Sequence, residues 1–214
     1  MNLSVANLRQ NYTLSGLNET EVDPNPVQQF ALWFQQAVDA QLLEPNAMTL
    51  ATVDANSQPS ARIVLLKNFD ERGFVFFTNY NSLKGRQLEE NPQAALVFWW
   101  GELERQVRIE GRVEKVSDSE SDNYFYSRPQ GSQLGAWASP QSQLIESREV
   151  LDSKLGQLQE QYHKQKIPRP SHWGGFRVIP QVIEFWQGRP NRLHDRIRYS
   201  LIEEKTWELK RLAP

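Results

Sequence analysis

The sequence of 214 residues contains no cysteine. Disulfide bonds, thiolate metal sites and cysteine nucleophiles are therefore excluded, and the composition fits a reducing compartment. No apolar run approaches the roughly 20 residues that span a bilayer. Residues 1–9 lack the basic start and apolar stretch of a signal peptide. We therefore expect a cytoplasmic protein without a membrane partner.

The signatures of several common enzyme classes are also missing. The sequence has neither a glycine-rich phosphate loop nor a Gly-x-Ser-x-Gly nucleophile elbow. His163, His172 and His194 lack the spacing of metal ligands, so no metal site is expected. The formal net charge is −2, from 24 basic and 26 acidic residues, which argues against a nucleic-acid partner.

What the chain does contain is a series of short β-type segments separated by turns. They are rich in β-branched and aromatic residues, and several alternate apolar with charged side chains. Short strands joined by tight turns indicate an antiparallel sheet or barrel. Strands are predicted over residues 48–53, 60–67, 74–78, 94–100, 105–116, 176–186, 193–200 and 205–212.

Helical patterns interrupt these strands. A first-turn proline, a serine N-cap and a Ser-x-x-Glu capping box indicate three helix starts. A fourth helix is amphipathic, and its apolar stripe is expected to pack in the core or an interface. We therefore predict a mainly β fold with flanking helices (α+β), in a single domain over residues 26–214 after a flexible N-terminal segment, 1–25. The helices are predicted from Pro26 to about Leu43, from Ser82 to about Glu90, from Ser117 to near Pro129, and along Leu151, Leu155, Leu158 and Tyr162.

A basic cluster follows the apolar segment Val182–Trp186. If the chain stays extended there, Arg192, His194 and Arg196 share one strand face. Three side chains that can carry positive charge do not form a hydrophobic core, so this face meets either water or an anion. A solvated face is the commoner case for such a cluster, and the cluster alone leaves both interpretations open.

Other basic and hydroxyl residues fall at strand ends and helix starts. Each group alone is equally well explained by capping, solvation or ion pairing. Taken together, they indicate more than one phosphate-sized anion, because helix N-termini and guanidinium groups both favour phosphate. Without a dinucleotide loop, the pattern favours a mononucleotide-type cofactor and a phosphorylated substrate. The residues are Arg62, Lys67, Thr78, Ser82, Lys84, Tyr124, Arg128 and Ser132.

Nine short blocks, in order along the chain, carry a family resemblance. They are Arg62–Lys67, Phe77–Asn79, Glu104–Val107, Ser127–Pro129, Ser132–Trp137, Trp173–Arg177, Trp186–Gly188, Arg192–Arg196 and Arg211–Pro214. Together they resemble the pyridoxamine 5′-phosphate oxidase family. The resemblance implies an FMN-binding split β-barrel of antiparallel Greek-key type. It also implies a homodimer with FMN at the subunit interface.

The resemblance assigns residues to both ligands. Arg192 and His194 would be catalytic. Substrate contacts would be Lys67, Tyr124, Arg128, Ser132, Arg192, Leu193 and His194. FMN contacts would be Arg62, Ile63, Val64, Leu65, Leu66, Lys67, Phe77, Thr78, Lys84, Gln106, Gln141, Ser142, Trp186 and Arg196.

Three features depart from the pattern of the family. Leu83 stands where relatives often carry a basic residue, a role that Arg86 could take over. Phe77 stands where a tyrosine is common. The segment Arg9–Tyr12 only partly resembles one that covers the substrate in relatives.

The resemblance also implies a reaction. Pyridoxamine 5′-phosphate and pyridoxine 5′-phosphate would become pyridoxal 5′-phosphate, in vitamin B6 biosynthesis and salvage. A hydride would pass from C4′ to flavin N5, and dioxygen would be reduced to hydrogen peroxide. Arg192 is assigned to positioning, because a guanidinium stays protonated, and His194 to orienting C4′ or assisting proton removal. The alternative is a non-catalytic flavin or pyridoxal-phosphate binding protein on the same barrel, since a fold does not determine function.

Overall fold

The computed structural model describes residues 11–14, 16–204 and 206–214. Residues 1–10 and 15 of the predicted N-terminal segment 1–25, and with them Arg9, lie outside the described residues, and the predicted domain boundary stays a prediction. The chain forms two compact units. The terminal unit comprises the described residues within 1–49, 95–110 and 180–214, and the central unit comprises residues 50–94 and 111–179.

Antiparallel strands dominate the described residues, as predicted. Hydrogen bonds join nine described strands in the order β2-β1-β5-β6-β7-β4-β3, with β8 on β7 and β9 on β8. The pairs β3–β4, β4–β7, β7–β8 and β8–β9 are antiparallel. The strands are β1 Ala47–Val53, β2 Pro59–Leu65, β3 Asn68–Asp70, β4 Gly73–Asn79, β5 Gln93–Trp100, β6 Arg105–Lys115, β7 Trp173–Gln187, β8 Asp195–Glu203 and β9 Thr206–Leu212.

Five α-helices flank the strands within the described ranges. Two of the predicted N-caps are confirmed: Ser82 Oγ accepts from the backbone N–H of Gly85 at 3.2 Å, and Ser117 forms a capping box with Glu120. None of the helices in the described residues has both the length and the apolar character needed to cross a bilayer. The helices are α1 Pro26–Asp39, α2 Leu83–Glu90, α3 Asp118–Ser127, α4 Gln130–Ala138 and α5 Arg148–Gln161.

The structure corrects the end of one predicted helix and adds a helix that was not predicted. The first helix ends at Asp39 rather than near residue 43, because Gln41 and Glu44 adopt left-handed backbone angles with φ of 55° and 48°. The helix that begins after Ser117 ends at residue 127, and a separate helix, α4, follows it at once. That second helix was not predicted.

Each unit has its own aromatic or apolar core. In the terminal unit, Phe185 packs edge-on against Trp33 and Tyr199, with ring centroids 5.2 and 5.7 Å apart. In the central unit, Leu158 of α5 and Leu134 of α4 are buried in one cluster with Phe125. Burying such a side chain stabilises the fold by about 1.5–3 kcal/mol. The predicted stripe of α5 therefore contributes to the core.

The predicted extended chain through Arg192 and His194 is wrong. A 3₁₀ turn spans Pro190–Arg192, and β8 begins only at Asp195. Asn191 and Arg192 have φ angles of 58° and 64°, a left-handed conformation that ends strand alternation. Arg192 and His194 therefore belong to the β7–β8 loop, residues 188–194, and do not share a strand face with residue 196.

Candidate active site

A cavity of about 770 Å³ lies in the central unit. It gathers residues from β2, β4, the start of α2 and the α3–α4 region. Most of the central-unit residues that the sequence predicted are among those that line it. Two predicted residues do not line the cavity: Leu66 is buried, and Ser142 is exposed with a φ of 68°. The lining residues are Arg62, Ile63, Val64, Leu65, Lys67, Phe77, Thr78, Asn79, Lys84, Tyr124, Arg128, Pro129, Ser132, Gln141 and Trp173.

One part of this cavity holds two cations whose hydrogen-bond partners are neutral oxygens. Lys84 Nζ donates to Gln141 Oε1 at 2.9 Å and to Thr78 Oγ1 at 3.4 Å. Arg62 donates to Thr52 Oγ1 and, at 3.3 Å, to Gln87 Oε1. Burial lowers the pKa of Arg62 and of Lys84, and the positive charge of Arg62 lowers the pKa of Lys84 further. An anion between them would relieve both effects.

The same part of the cavity lies at a helix N-terminus. Helix α2 begins directly after the N-cap Ser82, and Lys84 is its second residue. The free N–H groups of a helix start carry partial positive charge and favour an anion. Arg86, the substitute considered for the missing basic residue at Leu83, donates instead to the carbonyl of Asn81.

A second basic group lies around the α3–α4 junction. The Arg128 guanidinium carbon lies 4.6 Å from the Trp173 ring centroid. Arg128 Nη1 is buried, and the described residues contain no hydrogen-bond partner for it. Burial lowers the pKa of this arginine. Leaving such a donor unpaired costs about 1–3 kcal/mol, and an acceptor from outside the chain would relieve this cost. Lys67, Tyr124 and Ser132 line the same cavity.

Stacked aromatic rings support this basic group. Phe77 and Tyr124 are stacked with centroids 4.1 Å apart, and Phe77 and Trp173 with centroids 5.6 Å apart. Sequence reasoning assigned no role to Trp173 or to the buried Asn79, although both fall within blocks of the family resemblance. That membership was the only available signal, because the aromatic contact depends on the register of β4 and β7.

The remaining predicted residues belong to the terminal unit, and none is among those that line the central cavity. The Trp186 and His194 rings are 4.6 Å apart, and Tyr12 contacts both edge-on at 5.7 and 5.6 Å. Arg192 and Leu193 are exposed in the β7–β8 loop. Gln106, on β6, is half-buried. Burial lowers the pKa of His194, and the positive charge of Arg192 lowers it further.

Arg196 of the terminal unit has a partner that sequence reasoning missed. Its Nε and Nη2 donate to the two carboxylate oxygens of buried Glu184 at 2.9 and 3.0 Å, and Nη1 donates to the Ala213 carbonyl at 2.9 Å. The carboxylate raises the pKa of this arginine above its ordinary value. The alternation of β7 gave no signal that an acid would face inward there.

The antiparallel sheet, the flanking helices and the cavity with its buried cations define a protein of the split β-barrel class. The sequence profile described as "Pyridoxamine 5′-phosphate oxidase" matches residues 34–162. That described as "Pyridoxine 5′-phosphate oxidase C-terminal dimerisation region" matches residues 173–214. The chain belongs to the pyridoxamine 5′-phosphate oxidase family.

Relatives and solved structures agree with this assignment. The chain is 66% identical to a pyridoxine/pyridoxamine 5′-phosphate oxidase of Nostoc sp. over 100% of both chains. It is 61% identical to one of Paraburkholderia phytofirmans over 99% of both.

Among solved structures, PhzG of Burkholderia lata, in complex with tetrahydrophenazine-1-carboxylic acid, has a TM-score of 0.89 and 29% identity, covering 96% of this chain and 100% of PhzG. An FMN-binding protein of Nostoc punctiforme, described as pyridoxamine 5′-phosphate oxidase-related, has a TM-score of 0.68 and 16% identity, covering 86% of this chain and 97% of its own. The second likeness concerns the fold alone.

Proposed function

We propose that the protein is an FMN-dependent oxidase that converts pyridoxamine 5′-phosphate and pyridoxine 5′-phosphate to pyridoxal 5′-phosphate. Membership of the family supports the reaction. The observation that supports a phosphorylated substrate is that Arg128 Nη1 is buried and has no hydrogen-bond partner among the described residues. It lies in a cavity that Lys67, Tyr124 and Ser132 also line. This donor set suits a phosphate, because a guanidinium and an ammonium both donate to its oxygens.

The other basic group of the cavity fits the phosphate tail of FMN. Arg62 and Lys84 would hold that phosphate, together with the N-terminus of α2 and the hydroxyl of Thr78. The family resemblance adds Gln141 of this cavity to the FMN contacts, together with Gln106, Trp186 and Arg196 of the terminal unit. When bound, FMN would accept a hydride from the substrate and pass the electrons to dioxygen, which yields hydrogen peroxide.

The protein would supply binding, orientation and charge. Lys67, Tyr124, Arg128 and Ser132 would fix the substrate phosphate and thereby the distance of its ring from the flavin. Arg192 would orient the substrate electrostatically, because its guanidinium keeps its proton. His194 and Leu193 would contact the substrate from the same loop. The match of residues 173–214 to a dimerisation region supports a homodimer, and the family resemblance would put FMN at its subunit interface.

Peroxide release from the purified flavoprotein tests this function. We expect the protein to carry a flavin absorption band and to release hydrogen peroxide when pyridoxamine 5′-phosphate or pyridoxine 5′-phosphate is added in air. Unphosphorylated pyridoxamine is the matched control and should react far more slowly, because Arg128 would then remain unpaired. Bound flavin without peroxide would support the non-catalytic binding protein instead.

A further inference from the structure

The β7–β8 loop is closed by a side chain that folds back onto the start of the loop. Gln187 and Asp195 are the last paired residues of the two strands. His194 is the residue directly before β8, and its Nδ1 lies 3.1 Å from the backbone nitrogen of Arg189. The backbone N–H points to this ring nitrogen, so the imidazole bridges the two ends of the loop.

The direction of this hydrogen bond determines the protonation of the ring. A backbone N–H can only donate, so Nδ1 must offer its lone pair. A neutral imidazole then carries its proton on Nε2, and an imidazolium could not accept the bond at all. The hydrogen bond is therefore compatible with one of the three protonation forms of His194.

The loop that this bond closes is strained. Asn191 and Arg192 are consecutive residues in the left-handed region, which costs free energy in residues that have a Cβ. Such a conformation persists only where neighbouring contacts hold it. The start of the loop is held by the Gly188 N–H, which donates to the Glu104 carbonyl at 2.7 Å, and by Arg189 Nε, 3.5 Å from Asp195 Oδ2. Arg189 Nη1 also donates to the Leu14 carbonyl at 3.3 Å. Beyond residue 189, Leu193 N donates to the Pro190 carbonyl at 3.2 Å.

The surroundings of the ring favour the neutral form. Tyr12 and Trp186 pack against it. The charged neighbours include two cations of the same loop, Arg189 and Arg192. The carboxylate of Asp195 is engaged by the Leu17 N–H at 3.1 Å and by Arg211 at 2.6 Å. Burial and Arg192 lower the pKa of the imidazole, in agreement with the geometry.

We infer that His194 is a positioning residue that stays neutral with its proton on Nε2, and that its Nδ1 closes the β7–β8 loop and fixes the backbone of Arg192. Nε2–H is then left as a fixed hydrogen-bond donor. The consequence for catalysis rests on the proposed function: His194 donates a hydrogen bond to the substrate and does not take up a proton from it. Of the two roles open from the sequence, orientation and proton removal, only orientation remains.

Nitrogen NMR of the wild-type holoenzyme, with ¹⁵N-labelled histidine, tests the tautomer directly at pH 7.5. We expect a pyridine-like Nδ1 and a pyrrole-like Nε2 for the imidazole whose signals disappear in His194→Gln. If that variant does not fold, spectra of His163→Gln and His172→Gln assign the remaining imidazole by elimination. A pyrrole-like Nδ1, a tautomer mixture or a doubly protonated ring would overturn the inference.

Two substitutions separate the two ring nitrogens. The side-chain oxygen of His194→Asn can accept from the Arg189 N–H in place of Nδ1, whereas the amide of His194→Gln reaches the Nε2 position. We expect the amides of residues 189 and 191–193 to exchange with deuterium roughly fivefold faster in His194→Gln, and near the wild-type rate in His194→Asn. Equal exchange in the two variants would contradict the role of Nδ1.

The same variants distinguish failure of the inference from failure of the proposed function. Spectra and exchange rates need no substrate, so they remain informative if no peroxide is released. Where peroxide is released, His194→Asn should lower kcat/KM, because the loop is closed but the hydrogen bond from Nε2–H to the substrate is lost. A kcat/KM in His194→Asn equal to that of the wild type would exclude the Nε2–H donor.

Discussion

Arg196 of β8 and Glu184 of β7 form a bidentate ion pair between neighbouring strands. Nε donates to one carboxylate oxygen at 2.9 Å, and Nη2 donates to the other at 3.0 Å. The glutamate side chain is only 6% exposed and the arginine side chain 25% exposed. Arg108 Nη1 lies 3.7 Å from Glu184 Oε2, so two guanidinium groups compensate the charge of this buried carboxylate, and Arg196 makes the closer contact.

Loss of the Glu184 charge should destabilise the fold. Glu184→Gln keeps the shape of the side chain but leaves Arg196 without its counter-charge. We expect the free energy of unfolding to fall by about 2 kcal/mol, below the full value of a wholly buried pair because the arginine is partly exposed. Urea unfolding at fixed protein concentration measures it. The control is Glu208→Gln, which breaks an exposed pair with Lys210 and should cost at most about 0.5 kcal/mol; equal losses would contradict the assignment.

Stability should depend on pH through Glu19. Arg211 donates to its two carboxylate oxygens at 2.7 and 2.6 Å, and this contact lowers the pKa of Glu19 from 4.5 to about 2. Because the folded value lies below the unfolded one, the stabilisation is fully present above pH 4.5 and is lost as the pH falls through about 2.

The measurement for Glu19 is the difference in Tm between wild type and Glu19→Gln. We expect it to stay constant from neutral pH down to about pH 5 and to shrink as the solution becomes more acidic. Glu21→Gln removes a charge from the same segment without touching Arg211, so it serves as the control. A difference that grows on acidification would have the wrong sign for a carboxyl with a lowered pKa.

Most strands and most helix starts could be predicted because their signals are local, whereas the short strand β3 was missed. Alternation of side chains is visible within one strand, and the serine caps act within three residues. Helix α4 gave no such signal: Gly131 and Gly135 lower its helix propensity, and buried Leu134 stabilises it through tertiary packing. A helix of this kind depends on contacts that a pattern of residues does not contain.

Site residues could be predicted where their role follows from their position at the end of a strand or the start of a helix. Arg62 and Lys84 were found because they lie at a strand and at a helix start. The pairing of residue 196 with Glu184 was missed because it depends on the register of β7 and β8. Asn191 and Arg192 alter the predicted alternation just before that register begins, and left-handed angles of non-glycine residues have no reliable sequence signal.

The ring of Trp173 should control affinity for the phosphorylated substrate. It lies 4.6 Å beneath the Arg128 guanidinium, a contact worth about 0.5–2 kcal/mol. We expect Trp173→Leu to raise KM by roughly 2-fold to 30-fold with the flavin retained, and Trp173→Phe to recover part of the loss. Steady-state peroxide assays measure both.

A matched aromatic contact elsewhere controls for the Trp173 experiment. Lys166 Nζ lies 3.9 Å from the ring centroid of Tyr126, which is exposed. Tyr126→Leu therefore removes a cation–π contact outside the cavity and should leave KM unchanged. If it raised KM as much as Trp173→Leu does, a general loss of packing would explain both results.

Lys84 should act on cofactor retention. Lys84→Met keeps the length of the side chain and removes the charge that would hold the FMN phosphate. We expect the Kd for FMN to rise by roughly tenfold to a hundredfold, the range for losing a hydrogen bond to a charged group. Flavin fluorescence on titration of the apoprotein measures it. Lys115→Met, which removes an exposed lysine paired with Glu89, should bind FMN as the wild type does.

Arg192 should act on turnover instead. Its side chain is exposed at the strained turn of the β7–β8 loop and is not needed for the core. We expect Arg192→Ala to lower kcat by about a hundredfold or more, since orientation of the reacting carbon would be lost, while the flavin content stays at the wild-type level. Arg198→Ala, which removes an exposed arginine from β8, should change neither. If Arg192→Ala lost flavin in proportion to activity, the arginine would be a cofactor ligand, and the separation between Lys84 and Arg192 would be wrong.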